Sequence, residues 1–125
     1  MTNKKFSLLD RIKSFPYAFN GLKILFKEEH NARVHLFIAI FAILAGFILK
    51  ISAIEWVAVI LVIGLVFITE IINTSIENIA DFISPEKHPK IKVIKDLAAA
   101  AVILSAIVSV MIGLLIFLPK LLVLI

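Results

Sequence analysis

The chain has 125 residues, a hydrophobic content of 62%, a mean hydropathy of +1.10 and a formal net charge of +4. Soluble domains are usually about 45–50% apolar, and a soluble chain this short could not bury so many large side chains, so lipid must cover much of the surface. The absence of cysteine excludes thiolate metal sites and Cys nucleophiles, and nucleic-acid binding is set aside because the basic residues flank apolar spans and form no separate polar domain.

The first predicted element is an amphipathic helix at about 6–28. Leu8, Leu9, Ile12, Phe15, Phe19, Leu22 and Phe26 recur at three- and four-residue spacing, while Arg11, Lys13, Lys23 and Lys27 fall mostly elsewhere on the wheel. That pattern describes a helix lying on a membrane surface, kinked or broken at Pro16. It does not resemble a cleaved signal peptide, because the charged region extends to Arg33 and no small-residue cleavage site follows a short apolar core. Three apolar segments come next, predicting membrane helices at about 33–50, 54–83 and 93–118. The first, Val34 to Leu49, is interrupted only by His35, and the third, Leu97 to Leu118, carries no charge. About 20 residues of helix cross a hydrocarbon core of ~30 Å. The second has no charge from Trp56 to Thr69 and then continues on a polar face to a turn at Ser84, Pro85 and Pro89.

Seven of the thirteen basic residues precede the first span, and four (Lys87, Lys90, Lys92, Lys95) lie between the second and third. The positive-inside rule then puts the N-terminus and the 84–96 loop in the cytosol and the 50–55 hairpin outside. The expected fold is all-α and integral to the membrane: three transmembrane helices, an N-terminal surface helix and a single domain over 1–125. Ala101, Ser105, Ser109 and Gly113 recur every four residues in the third span, and such stripes let helix backbones approach closely in lipid. That stripe fits packing within one protomer as well as between protomers, and three helices enclose so little space that a sheltered carboxylate favours an oligomer.

The second span holds the chemistry. At 100° per residue, with Glu70 at zero, Asn73 falls near −60°, Thr74 near +40°, Glu77 near −20° and Asp81 near +20°. All five share one face. Glu70 lies fourteen residues after Trp56, or ~21 Å along the axis, near the cytosolic edge of the hydrocarbon. An acid there is a functional hypothesis, since its burial costs at least a few kcal/mol. A snorkelling or salt-bridged structural Glu is the plain rival, and the polar companions on its face argue against it. Glu28, Glu29, Asn31, Arg33 and His35 precede the first span at the same layer, while Glu86, Lys87, His88, Lys95 and Asp96 face it from the second loop. Carboxylates for a hard divalent cation, lysines for phosphate charge and one carboxylate at lipid-hydroxyl depth make up the inventory of phosphoryl transfer. No Gly-rich nucleotide loop or protein-kinase motif is present.

The stretch "EIINTSIENIAD" at 70–81 resembles the signature E-x-x-N-[ST]-[AS]-I-E-x-x-x-D of the small prokaryotic diacylglycerol kinase family. "KDLAAAAV" at 95–102 resembles its second signature, and "EEHNARVH" at 28–35 its segment before the first span. The likeness runs from about Tyr17 to Leu122; "IEWVAVILVIGL" and "GLLIFLPKLL" are similar to the Gram-positive branch, whose members are undecaprenol kinases. The resemblance implies a homotrimer in the bacterial cell membrane, with active sites at the cytosolic interface built from neighbouring protomers. It implies ATP as phosphoryl donor, Mg2+ as cofactor, and undecaprenol or diacylglycerol as acceptor. By motif position it implies Glu70 as general base on the lipid hydroxyl, Glu29 and Glu77 as ligands of the magnesium of MgATP, and Asn73 as active-site support. Tyr17, Glu29, Glu77, Glu86, Lys87, His88, Lys95 and Asp96 lie where family members contact nucleotide, and Arg11 matches a basic family position. Lipid contact is implied for Ser14, Phe15, Phe19, Asn31, Arg33, His35 and Glu70. Ala100 departs from the Gly usual in the Gram-positive branch, which bears on close backbone packing and not on chemistry. From a different class, a proton-coupled oligomeric transporter would place its acid nearer the bilayer centre and would not need Glu29, Glu77, Lys95 and Asp96. A structural membrane adaptor would tolerate loss of Glu70.

Overall fold

The computed structural model describes residues 5–125. Lys4, one of the basic residues counted for topology, lies outside them. The described residues form five helices and no strand: α1 (Leu8–Lys13), α2 (Phe15–Glu28), α3 (His30–Ile48), α4 (Ala53–Ile83) and α5 (Pro89–Leu124).

The surface segment breaks at Ser14, two residues before the proline that predicted the break. Ser7 caps α1 by accepting from the Asp10 N–H at 3.3 Å, and the Ser14 hydroxyl donates to the Asp10 carbonyl at 3.0 Å, closing the short helix. Pro16 then sits in the first turn of α2, where its missing N–H would have had no intrahelical partner. A second break follows at Glu29, whose backbone is extended (φ −100, ψ 112). Arg33, from the first turn of α3, reaches back to fill it. Its Nε donates to the Phe26 carbonyl at 2.6 Å and its Nη2 to the Lys27 carbonyl. Those are among the last carbonyls of α2, which a helix end leaves unpaired.

The α3–α4 hairpin is short and tightly closed. Lys50 adopts φ 53, and the Ile51 N–H reaches the Gly46 carbonyl at 3.1 Å, a Schellman closure made without the usual glycine. Ser52 and Glu55 then start α4 with a reciprocal capping box, at 3.2 and 2.9 Å. Trp56 turns back onto α3 with its ring 4.8 Å from that of Phe47. A methyl at Gly46 would come within 2.7 Å of the Trp56 ring, so glycine is what lets the indole seat there. Ile51, Val59 and Ile116 bury beneath it, and Lys120 pairs with Glu55 at 3.0 Å to tie the end of α5 to the start of α4.

The most extensive packing is α4 against α5; α3 meets α4 more sparingly. In the α4–α5 seam the Thr69 and Ser105 hydroxyls meet at 3.0 Å, while Ser105 and Ser109 donate back to the carbonyls of Val102 and Ser105. Two members of the small-residue stripe thus serve packing within the protomer, and Ala101 remains exposed. Three helices, α3, α4 and α5, are long and apolar enough to cross a membrane. Phe37, Phe41 and Leu115 are each more than two-thirds exposed, a surface that only lipid or another apolar body accommodates. At 1.5 Å per residue, α4 is ~46 Å long and outruns the ~30 Å hydrocarbon core, so its polar end has room to leave the lipid.

Candidate active site

Glu70 is the largest fully buried side chain among the described residues, at 1% exposure. Two observations explain how a carboxylate comes to be held there. Phe26 of α2 packs edge-on against Phe67, with centroids 5.7 Å apart, which docks the end of the surface helix one turn before Glu70. The Arg33 clamp fixes the corner that follows, so that α3 leaves toward α4 with His35 facing Glu70. The His35 Nε2 lies 3.3 Å from Glu70 Oε1. That distance is within ion-pair range, but the oxygen has no aligned hydrogen bond. Glu70 also lies within electrostatic reach of Glu29 and Glu77.

The two residues following along the same helical face repeat the pattern. Asn73 and Thr74 are buried, and neither the Asn73 Oδ1 nor the Thr74 Oγ1 has a hydrogen-bond partner. The Asn73 amide nitrogen donates instead to Glu77 Oε1 at 3.2 Å. An unpaired buried polar atom costs roughly 1–3 kcal/mol, so three within two turns of one helix mark a place made for a polar partner. Next to them, α3, α4 and α5 enclose an apolar cleft of about 380 Å³. Its lining includes His35 on α3 and Phe67 on α4, the latter one turn from Glu70.

The remaining candidates lie around this centre. Asp81 pairs with Lys95 across the α4–α5 turn, and Lys92 pairs with Asp96 at 2.6 Å on α5. Lys95 and Asp96 are therefore both held in side-chain pairs. His88 caps α5, its Nδ1 accepting from the Lys90 N–H at 3.1 Å, and Glu86 and Lys87 stand exposed in the same loop. Ser14, Phe15, Tyr17 and Phe19 lie along the exposed surface segment, and Arg11 is also exposed, on α1. Asn31 is exposed on the first turn of α3, and Arg33 is committed to its clamp.

Among the described residues no three His, Asp or Glu side chains converge into a metal cage. A dicarboxylate site for magnesium does not require one, since that ion usually keeps waters and binds through one or two carboxylates plus substrate phosphates. Glu29 and Glu77, both partly accessible and both near Glu70, fit such a site. Two residues of this cluster carried no assigned role in the sequence. Thr74 and Asp81 share the Glu70 face by helical angle, which was the available signal, but only packing shows that one is buried unpaired and the other holds Lys95.

Fold and site together define an integral membrane protein with a buried carboxylate beside an imidazole near one polar edge of its helices. Comparison with known proteins makes this specific: the chain belongs to the prokaryotic diacylglycerol kinase family, whose profile matches residues 16–117. It is 43% identical over 109 residues to an undecaprenol kinase of Bacillus subtilis, covering 87% of this chain and 89% of that one. It is 37% identical over 110 residues to a diacylglycerol kinase of Synechocystis, covering 87% of this chain and 63% of the longer relative. A diacylglycerol kinase of Escherichia coli K12 is 32% identical over 110 residues, covering 88% of this chain and 90% of the relative.

Proposed function

We propose that the protein is a lipid kinase that transfers the γ-phosphate of ATP to undecaprenol at the cytosolic face of the bacterial cell membrane. The observation that carries this reading is Glu70: a buried carboxylate with an unpaired oxygen, beside an apolar cleft, where the hydroxyl of a bilayer-embedded alcohol would lie. Glu70 takes the hydroxyl proton as general base. The hydrocarbon of the acceptor follows the cleft away from it. Asn73 keeps Glu77 aimed at the same layer. Glu29 and Glu77 would hold the magnesium of MgATP, which would neutralise phosphate charge. Lys95, positioned by Asp81, and the 86–88 loop face the nucleotide together with Tyr17 and Asp96. Ser14, Phe15, Phe19, Asn31, Arg33 and His35 border the lipid.

The N-terminus and the 84–96 loop are cytosolic in this reading, because the basic residues concentrate there. The working unit is a homotrimer of single-domain protomers, consistent with the large apolar surface left uncovered on one chain. Undecaprenol is favoured over diacylglycerol by the greater identity to the Bacillus subtilis relative.

The test is transfer of labelled phosphate from MgATP in bilayers containing undecaprenol and diacylglycerol side by side. Preferential labelling of undecaprenol is expected. Preferential labelling of diacylglycerol would replace the acceptor and keep the chemistry. Labelling of neither lipid would remove the kinase assignment and return the proton-coupled transporter.

A further inference from the structure

Each transfer to an alcohol releases one proton, and the buried base must lose it before the next turnover. Glu70 has no route of its own, for at 1% exposure it does not meet water. Among the described residues the one basic side chain within ion-pair distance is His35, at 3.3 Å. The His35 side chain is 20% exposed, so it meets Glu70 on one side and is open on the other, at the cleft that it helps to line. Its ring is chemically suited to this position, since imidazole carries two nitrogens, one able to face the carboxyl group and the other able to exchange a proton on the far side. The other charged groups near Glu70 are Glu77 on its own helix and Glu29 at the α2–α3 break. Both are acids kept for the metal. α5 contributes hydroxyls to this level of α4 through Ser105.

We propose that His35 is a positioning and proton-relay residue for Glu70, taking from its carboxyl group the proton of the acceptor hydroxyl and passing it to water. This rests on the kinase reading and adds a role beyond lipid contact for this side chain. In balance, the acceptor O–H bond breaks as its oxygen bonds the γ-phosphorus, and the bond from that phosphorus to ADP breaks. The proton goes to Glu70 Oε1, then to His35 Nε2. The imidazolium then releases a proton to water at the membrane edge and returns to neutral. Each turnover yields one phospholipid, one ADP and one proton, with Glu70 and His35 restored.

The relay separates the first turnover from those that follow, which a packing or lipid-contact role does not. The full-length protein is reconstituted in bilayers with undecaprenol and MgATP, and transfer by the parent chain is scored first, since its absence refutes the kinase reading itself. His35→Gln keeps a polar side chain of similar reach but is neither an acid nor a base. It is expected to lose roughly 10²-fold in steady-state turnover, the scale of a lost acid–base group, and much less in the first transfer per site, which needs the base but not its recovery. His35→Ala is expected to lose steady-state turnover likewise and to regain it when imidazole is added. A steady-state rate equal to the parent in His35→Gln overturns the relay. So does a raised KM for undecaprenol with unchanged kcat, which marks a lipid contact only. If His35→Gln does not assemble, imidazole rescue of His35→Ala decides: recovery supports the relay, and its absence in an assembled variant overturns it.

Discussion

Replacing Glu70 by Gln is the sharpest perturbation of this site, because it changes charge and basicity with almost no change of volume. The side chain is the largest fully buried one described, so its neighbours are set by packing and the amide occupies the same space. The unpaired Oε1 becomes an amide oxygen or nitrogen, still facing His35. Removing a buried negative charge that had no aligned hydrogen bond relieves a desolvation cost, so stability should be preserved or slightly raised. Chemistry should suffer instead. A positioned general base contributes on the order of 10²–10⁴-fold, which at about 1.4 kcal/mol per factor of ten is roughly 3–5 kcal/mol of transition-state stabilisation. Nucleotide affinity should hold, since the proposed metal ligands Glu29 and Glu77 are untouched. The assay is MgATP binding and single-turnover transfer measured on one purified preparation, with oligomer size checked in parallel. A Glu70→Gln protein that binds MgATP weakly yet transfers normally when saturated would refute the base and make Glu70 a ligand.

Glu29→Gln and Glu77→Gln should each lower activity steeply, with partial recovery at raised magnesium, because each removes one anionic oxygen from a hard cation; ordinary activity across a magnesium titration would remove that residue from the metal site. Gly46→Ala should destabilise the fold by about 1–3 kcal/mol through overpacking against Trp56, seen as earlier thermal unfolding in detergent with unchanged turnover per folded molecule. The topology should appear in single cysteines at Ala53 and Lys90 probed with an impermeant thiol reagent. Ala53 is preferred to Ser52, whose hydroxyl caps α4. Labelling of both from one side would overturn the three-span arrangement.

The all-α, three-span fold was legible because hydropathy acts on whole segments, and length and charge suffice to recognise a span. The shared polar face of Glu70, Asn73, Thr74 and Glu77 was equally legible, since neighbours on one helix are fixed by its period. What could not be read was every contact between helices. Nothing in the spacing of His35 and Glu70 shows that the two side chains meet, and nothing about Asp81 shows that it holds Lys95. The break of the surface segment was placed at Pro16 by the common rule that proline interrupts helices. The break falls two residues earlier, because the serine hydroxyl at 14 closes the preceding helix and Pro16 then sits in the first turn of the next.

Arg33 shows how the cluster around Glu70 is held in place. A chain that turns from a surface helix into a spanning helix must leave the last carbonyls of the first without intrahelical donors. Here the turn lies at the membrane edge, where each unpaired carbonyl would be costly, and the guanidinium supplies two N–H groups to the carbonyls of Phe26 and Lys27. Arginine suits the task because its planar fork presents parallel donors in a fixed geometry, which lysine does not. The same clamp sets the angle at which α3 departs and thereby the approach of His35 to Glu70. Glu29 sits at the corner itself, its extended backbone stabilised by the bonds that flank it. One residue two places from His35 thus fixes the positions of both the proposed relay and a proposed metal ligand. Its influence on the reaction runs through backbone geometry, so the lipid contact implied for Arg33 by resemblance must compete with two hydrogen bonds already made.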